Sequence, residues 1–393
     1  MSAQVLETRY ARTPDAWLTG VAAALLLIGI VMVASASMSI AENELGAPFH
    51  YLLRQLAYAG VGLVAALAAY AVPSFVWERT GPLLLAAAFV LLALVLVPGV
   101  GHTVNGSTRW VSLGPANLQV SEPARLLILM YLCGYVVRRR DALAQSFLGF
   151  LKPLLIVIFA CALLLAQPDF GAATVLLAAA LGVLLVGGVR LRDFCLLFVT
   201  ALAAFGGLAV TSAYRLERLM AFRDPWADPY DTGFQLTQSL IAIGRGEWLG
   251  VGLGSSVQKL FYLPEAHTDF LFAVLAEEFG LLGVTVVIGL FAALVGRAFW
   301  IAERAARVER PFQACLAFAI GTLLGLQAAI NIGVNMGLLP TKGLTLPLLS
   351  YGGSSLLVTC AAIGLLLRIQ HETTALRATG KQRIRKRRHS FHS

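Results

Sequence analysis

The sequence predicts an all-α integral membrane protein, a polytopic bundle of about ten transmembrane helices with one long extracytoplasmic loop, and three observations carry that expectation. First, 58% of the 393 residues are hydrophobic and 13% are charged, against about 25% charged in an ordinary soluble domain. A chain with that balance and a mean hydropathy of +0.78 cannot hide its apolar surface in a water-soluble core, so its solvent is lipid. Second, apolar runs close to the length of about 20 residues that a bilayer crossing requires recur along the chain. Third, the basic residues behind the net charge of +9 gather between those runs and at the C-terminus, which argues against nucleic acid as a partner.

The runs lie at 16 to 38, 51 to 72, 80 to 98, 124 to 137, 151 to 167, 170 to 189, 193 to 213, 269 to 296, 312 to 338 and 347 to 367. Val33 to Ala36 resemble a small-residue cleavage site. The run before them is longer than the roughly 7 to 15 residues of a signal core, so it reads as the first span. The fourth run is short, and the fifth and sixth nearly meet at Pro168. With both termini cytoplasmic, 21 of the 30 basic residues fall in inside segments, as the positive-inside rule asks of a multi-pass membrane protein. The chain thus divides into a cytoplasmic segment 1–15, a membrane domain 16–368 with the large loop 214–268, and a basic cytoplasmic tail 369–393. Six of the eight residues from Lys381 to Arg388 are basic, which suits anionic lipid better than nucleic acid. Cys133, Cys161, Cys195, Cys315 and Cys360 lie inside apolar runs without metal-ligand spacing and read as small buried hydrophobes, with no disulfide and no zinc.

The loop from about Tyr214 to Thr268 is far longer than the roughly 15 residues beyond which a loop is usually functional or disordered. It is rich in Trp, Phe, Leu and Gly, which favours order. Within it, Phe234, Leu236, Leu240, Ile241 and Ile243 form the apolar face of an expected helix lying on the membrane, followed by Gly250, Gly252 and Gly254, which permit bends.

Ionisable groups at membrane depth are costly and mark functional sites. Glu122, Arg125, Asp169, Asp269 and Lys342 fall at the outer ends of the expected helices, which points to one extracytoplasmic site. Thr268 or Asp269 serves as an N-cap, or Asp269 works as a general base. Ala273 and Ala276, four and seven residues on, share its face and leave room for a substrate. Desolvation at the lipid boundary and nearby basic groups act on such a carboxylate in opposite senses, the kind of tuning a base needs. His267 either hydrogen-bonds within the protein or joins Glu265 or Asp269 on a metal. Glu122 and Arg125, one turn apart, either pair with each other or contact ligand. Glu277 and Glu278 sit roughly 80° and 180° round the helix from Asp269, so helix contacts are expected of them. Arg215, Arg218, Arg223 and Lys259 are outside basic residues whose charge suits diphosphate oxygens, with ion pairs to Glu217 and Asp224 as the alternative.

Several separated motifs then make the sequence resemble the SEDS family of peptidoglycan glycosyltransferases over nearly its whole length. They are Arg109-Trp110-Val111-Ser112-Leu113-Gly114, Gln119-Val120-Ser121-Glu122, Gln167-Pro168-Asp169-Phe170-Gly171, the run Glu265 to Asp269, and Gly337 to Ser355. Gly252 to Pro264 is similar to the division-specific branch more than to the elongation-specific one. The chain departs from the family pattern at Val120, where Pro is usual, at Arg125, where Lys is usual, and at Ala172, where Thr is common.

The resemblance implies polymerisation of lipid II into glycan strands, an inverting transfer from a lipid-diphosphate-linked donor, with Asp269 as the base. It implies substrate contacts at Arg109, Glu122, Arg125, Asp169, Arg215, Lys259, Glu265, His267, Lys342 and Ser350, and a divalent cation, Mg or Mn, whose ligands it leaves unknown. It also implies work at the division septum beside a class B penicillin-binding protein similar to FtsI, and other divisome membrane proteins similar to FtsQ, FtsL, FtsB and FtsN. A lipid II flippase and a non-catalytic division scaffold are the alternatives. A flippase needs polar groups along a path to the inner leaflet, and a scaffold needs no base.

Overall fold

The computed structural model describes residues 15–104, 107–112, 114, 117–210, 222–231, 233–341 and 343–390. Its helices are α1 (Ala16–Leu45), α2 (His50–Ala71), the short α3 (Ser74–Arg79), α4 (Gly81–Leu94), α5 (Ser121–Arg138), the short α6 (Arg140–Gln145), α7 (Phe147–Ala166), α8 (Phe170–Val186), α9 (Leu191–Val210), α10 (Phe234–Gly246), α11 (Leu271–Arg307), α12 (Pro311–Asn335) and α13 (Gly353–Ser390). Each of the ten expected apolar runs contains a helix among the described residues, the last beginning only at Gly353. Six helical segments, among them α1, α2, α11 and α12, are long and apolar enough to cross a membrane on length and composition alone, and α4 and α8 are shorter apolar helices.

Local chemistry sets the ends. Asp15 caps α1 by accepting a hydrogen bond from Leu18 N at 3.2 Å, and Arg297 Nε holds the same carboxylate at 2.8 Å. The helix stops at Gly46, whose φ of 64° closes a left-handed C-cap. Pro311 opens α12, where its missing N–H costs nothing. At 38 residues, α13 is about 57 Å long, more than the roughly 30 Å of a hydrocarbon core. It therefore runs straight through the expected boundary at residue 368 into the basic tail.

Because lipid supplies no hydrophobic drive between helices, close approach depends on small residues. Where α13 lies along α2, a Cβ at Gly364 would stand 2.2 Å from the Ala66 carbonyl. The helix α12 packs against α11, α8, α5, α10 and α13 and forms the centre of the bundle.

Three features were not expected. The link from α4 to α5 folds into a small antiparallel sheet, β1 (Gly101–Val104), β2 (Ser107–Ser112) and β3 (Asn117–Gln119), with Trp110 opposite both His102 and Gln119. These strands of three to six residues are too short to stand out in a helix-dominated pattern. Helix α10 is present, but the face it buries deepest is Leu236, Ser239, Ala242 and Gly246. It docks against α11 and α12 by that face, while Phe234, Leu240, Ile241 and Ile243 of the expected apolar face stay half-buried.

The third feature is a break in α11. Gly280 has φ 60° and ψ −160°, outside the helical region, and splits α11 into a half-helix Leu271–Phe279 and a longer span. The backbone groups this exposes are taken up by the segment after α10. Val251 N and Gly252 N donate to the carbonyls of Glu277 and Glu278 at 3.0 and 3.1 Å, while Leu281 N and Leu282 N donate to those of Glu247 and Trp248 at 2.9 and 3.2 Å. Only glycine fits at position 246, where a Cβ would meet the Ala276 carbonyl at 1.9 Å.

Candidate functional site

The site lies where β3 leads into α5, α7 turns into α8, and α11 and α13 begin. Asp169 organises its floor. Its Oδ1 caps α8 through Ala172 N at 2.9 Å, and its Oδ2 accepts from Ser121 Oγ at 3.0 Å and Gln119 Nε2 at 3.5 Å. The Gln119 backbone N–H donates to Ser354 Oγ at 2.8 Å, which ties the sheet to α13. Arg109 reaches from β2 to put its Nη1 3.9 Å from Asp169 Oδ2. Asp169 is almost wholly buried and saturated by these bonds. Its expected contact with substrate is corrected to a role in holding Arg109.

Asp269, two residues before α11, comes near the Arg109 guanidinium at Gly343. A methyl group on Gly343 would lie 3.2 Å from Asp269 Oδ2 and 3.6 Å from Arg109 Nη2, so carboxylate and guanidinium border one small volume beside an exposed glycine. The N-cap reading of Thr268 and Asp269 is corrected as well. The cap residue of α11 is Phe270, without a side-chain bond of its own, and the Ala273 N–H is shared between the Phe270 carbonyl at 3.0 Å and Asn335 Oδ1 of α12 at 3.1 Å. Thr268 Oγ1 instead donates to Glu265 Oε2 at 2.6 Å. Ala273 and Ala276 are fully buried in helix packing, so the room expected beside them is not there.

His267 is packed between Tyr51 and Tyr351, with ring centroids 4.7 and 5.5 Å away, and its carbonyl accepts from Tyr351 N at 2.9 Å. Burial pushes its pKa below the usual 6.5, against the opposing pull of Glu265 and Glu44. Its Nδ1 is buried without a hydrogen-bond partner among the described residues. No group of three or more His, Cys, Asp or Glu side chains converges among the described residues, so His267 and Glu265 do not form a protein-only metal cage.

Four other expected contacts fall elsewhere. Glu122 and Arg125 pair with each other at the start of α5 and are buried, Arg125 to 1% exposure. A guanidinium so enclosed has no surface to offer a diphosphate. Lys259 Nζ is 2.7 Å from Glu278 Oε1 and bonds Ser35 Oγ at 2.9 Å, so its charge is spent inside the protein. Ser350 Oγ accepts from Leu346 N at 2.9 Å and closes the turn before α13, a structural role. The helix contacts expected of Glu277 are present, through Arg245, Ser256 and the amides of Val257 and Gln258. Arg215, Arg218 and Lys342 lie outside the described residues.

Sequence reasoning passed over Asn331 and Asn335, whose side-chain amides both donate to the Asp269 carbonyl, at 2.9 and 3.0 Å. The signal was present as Gln327, Asn331 and Asn335, polar residues every fourth position inside an apolar run. A carboxylate and a guanidinium across one small volume can accept a proton on one side and steady developing negative charge on the other.

Residues 16–375 match the FtsW, RodA and SpoVE family of cell cycle proteins. A probable peptidoglycan glycosyltransferase FtsW of Thioalkalivibrio sulfidiphilus is 58% identical over 370 residues, 94% of this chain and 92% of that protein. One of Legionella pneumophila is 52% identical over 359 residues, 91% of each. A solved structure described as "Structural coordination of polymerization and crosslinking by a peptidoglycan synthase complex" has a TM-score of 0.74 at 32% identity, covering 92% of this chain and 99% of its own. The rod shape determining protein RodA of Thermus thermophilus follows at a TM-score of 0.67 and 30% identity, covering 92% and 98%. With a family match that spans the membrane domain and relatives alike over nine-tenths of its length, the chain belongs to the FtsW, RodA and SpoVE family.

Proposed function

We propose that this chain is a peptidoglycan glycosyltransferase that polymerises lipid II into glycan strands at the outer face of the cytoplasmic membrane during division. The observation that carries the reading is that the Asp269 carboxylate and the Arg109 guanidinium border one small volume at Gly343. The names of its relatives support an enzyme over a flippase or a scaffold.

Asp269 takes the proton from the acceptor sugar hydroxyl as that oxygen attacks the donor's anomeric carbon from the face opposite the diphosphate. The bond from that carbon to the diphosphate oxygen breaks, and its electron pair leaves with the diphosphate, so an α-linked donor gives a β bond in one displacement. Arg109, held by Asp169, offers the positive charge that meets the departing oxygen. A diphosphate is already a fair leaving group, so the paired carboxylates of a glycosidase are not needed.

A divalent cation suits this donor set in the manner of Mg, bound by one carboxylate together with substrate phosphate and water. Asp269 would be the protein ligand, and the open side of Gly343 leaves that carboxylate approachable. When bound, the ion would neutralise diphosphate charge.

The bias of 21 in 30 basic residues to one side supports both termini in the cytoplasm and the site outside. A class B penicillin-binding protein is the proposed partner, supported by the likeness to a peptidoglycan synthase complex, with other divisome membrane proteins around the pair at the septum.

The test is Asp269→Asn in purified protein with its partner. The substitution keeps the size of the side chain and removes the proton acceptor, and loss of a general base costs about a hundredfold to ten-thousandfold. Polymerisation at near wild-type rate by the folded, partner-bound variant refutes the assignment.

A further inference from the structure

Asn331 and Asn335 stand one turn apart on one face of α12, exposed to 2% and 0%. Polar side chains buried in a membrane bundle are costly unless every group is paired, and here both amides are. Asn331 Nδ2 donates to the Asp269 carbonyl at 2.9 Å and to the Leu344 carbonyl at 2.5 Å. Asn335 Nδ2 donates to the Asp269 carbonyl at 3.0 Å and to the Asn331 carbonyl at 2.9 Å, while its Oδ1 accepts from Ala273 N. Leu344 follows Gly343, the residue beside Asp269 Oδ2, so Asn331 grips both walls of the site through their backbones.

The start of a helix leaves free N–H groups that an aspartate just before it would ordinarily satisfy. Here Asn335 Oδ1 shares the Ala273 N–H with the Phe270 carbonyl, so the amide that holds the Asp269 carbonyl also ties the start of α11 to α12.

We propose that Asn331 and Asn335 are positioning residues for Asp269, fixing the aspartate against the segment that faces it; this rests on the reading of Asp269 as the base. Displacing a reacting group by about 1 Å is enough to cost roughly a hundredfold.

Asn331→Leu and Asn335→Leu, purified with the penicillin-binding partner and assayed on lipid II, are expected to lose about tenfold to a hundredfold in kcat per folded complex, with KM within about twofold of wild type. Gln327→Leu is the control. Gln327 bonds the same segment through the Thr345 carbonyl at 3.2 Å and makes no bond to Asp269. Its kcat is expected to stay within about threefold of wild type. Wild-type kcat in the asparagine variants, a change in KM alone, or an equal kcat loss in Gln327→Leu overturns the proposal. Asp269→Asn measured beside them separates the two readings. If it is inactive while the asparagine variants are normal, only the positioning role falls; if it is active, the base assignment falls and the positioning role with it.

Discussion

Lys259→Met tests the buried ion pair made by Glu278, two residues before the break in α11. Lys259 and Glu278 are 7% and 0% exposed, their charged atoms are 2.7 Å apart, and Ser35 Oγ bridges them, accepting from Lys259 Nζ at 2.9 Å and donating to Glu278 Oε1 at 2.7 Å. Removing the ammonium leaves the Glu278 carboxylate with the Ser35 hydroxyl but no compensating charge, in a site closed to water. Breaking a buried pair from one side costs about 3–5 kcal/mol, whereas replacing both partners by apolar residues of similar volume is often close to neutral. The expectation is therefore a loss of about 3–5 kcal/mol for Lys259→Met and a recovery of most of it in Lys259→Met/Glu278→Leu. SDS-titrated unfolding in mixed micelles, followed by tryptophan fluorescence, reads both. A single variant that loses less than about 1 kcal/mol, the value of an exposed pair, refutes the reasoning. So does a double variant no more stable than the single one.

Gly343→Ala places a methyl group 3.2 Å from Asp269 Oδ2; expression and partner binding are expected to survive while polymerisation falls about tenfold, and a wild-type rate would mean that the carboxylate does not work there. His267 has a folded-state pKa below its ordinary 6.5, so its contribution to stability is complete above that pH and is lost as pH falls through the lowered value. Thermal unfolding between pH 8 and pH 5 should show a decline on the acid side that His267→Phe reduces, and an unchanged slope would exclude His267 as its source. Reporter fusions at residue 240 should read extracytoplasmic and those at 145 and 305 cytoplasmic, and a cytoplasmic signal at 240 would move the site to the wrong face.

The ten spans were legible because runs of about 20 apolar residues have few alternatives. What charge means at a given position was less so. Asp169 and Asp269 both follow short polar motifs at expected outer helix ends. One proves to be a saturated anchor under Arg109 and the other the carboxylate beside Gly343, a distinction set by partners 48 and more residues away. Arg125 and Lys259 read as phosphate ligands because an isolated basic residue gives no sign of its acidic partner. The i,i+3 spacing of Glu122 and Arg125 did leave pairing open, and pairing is what occurs. Gln327, Asn331 and Asn335 carry no charge to mark them in an apolar run, although a neutral amide inside a membrane helix also costs free energy to desolvate.

The break at Gly280 explains why the long loop matters to Asp269. The half-helix Leu271–Phe279 has nine residues and is about 13 Å long, far short of a bilayer crossing. Such a segment persists at membrane depth only if protein groups satisfy both of its ends. Asn335 serves the first end, and the amides of Val251 and Gly252 serve the last. The segment after α10 is in turn pinned by Glu277, which takes hydrogen bonds from Ser256, Val257 and Gln258. The position of Asp269 is thus fixed from two sides, by α12 and by the loop. A substitution that loosens the loop from the break is felt at Asp269 through nine residues of helix, with no contact to substrate required.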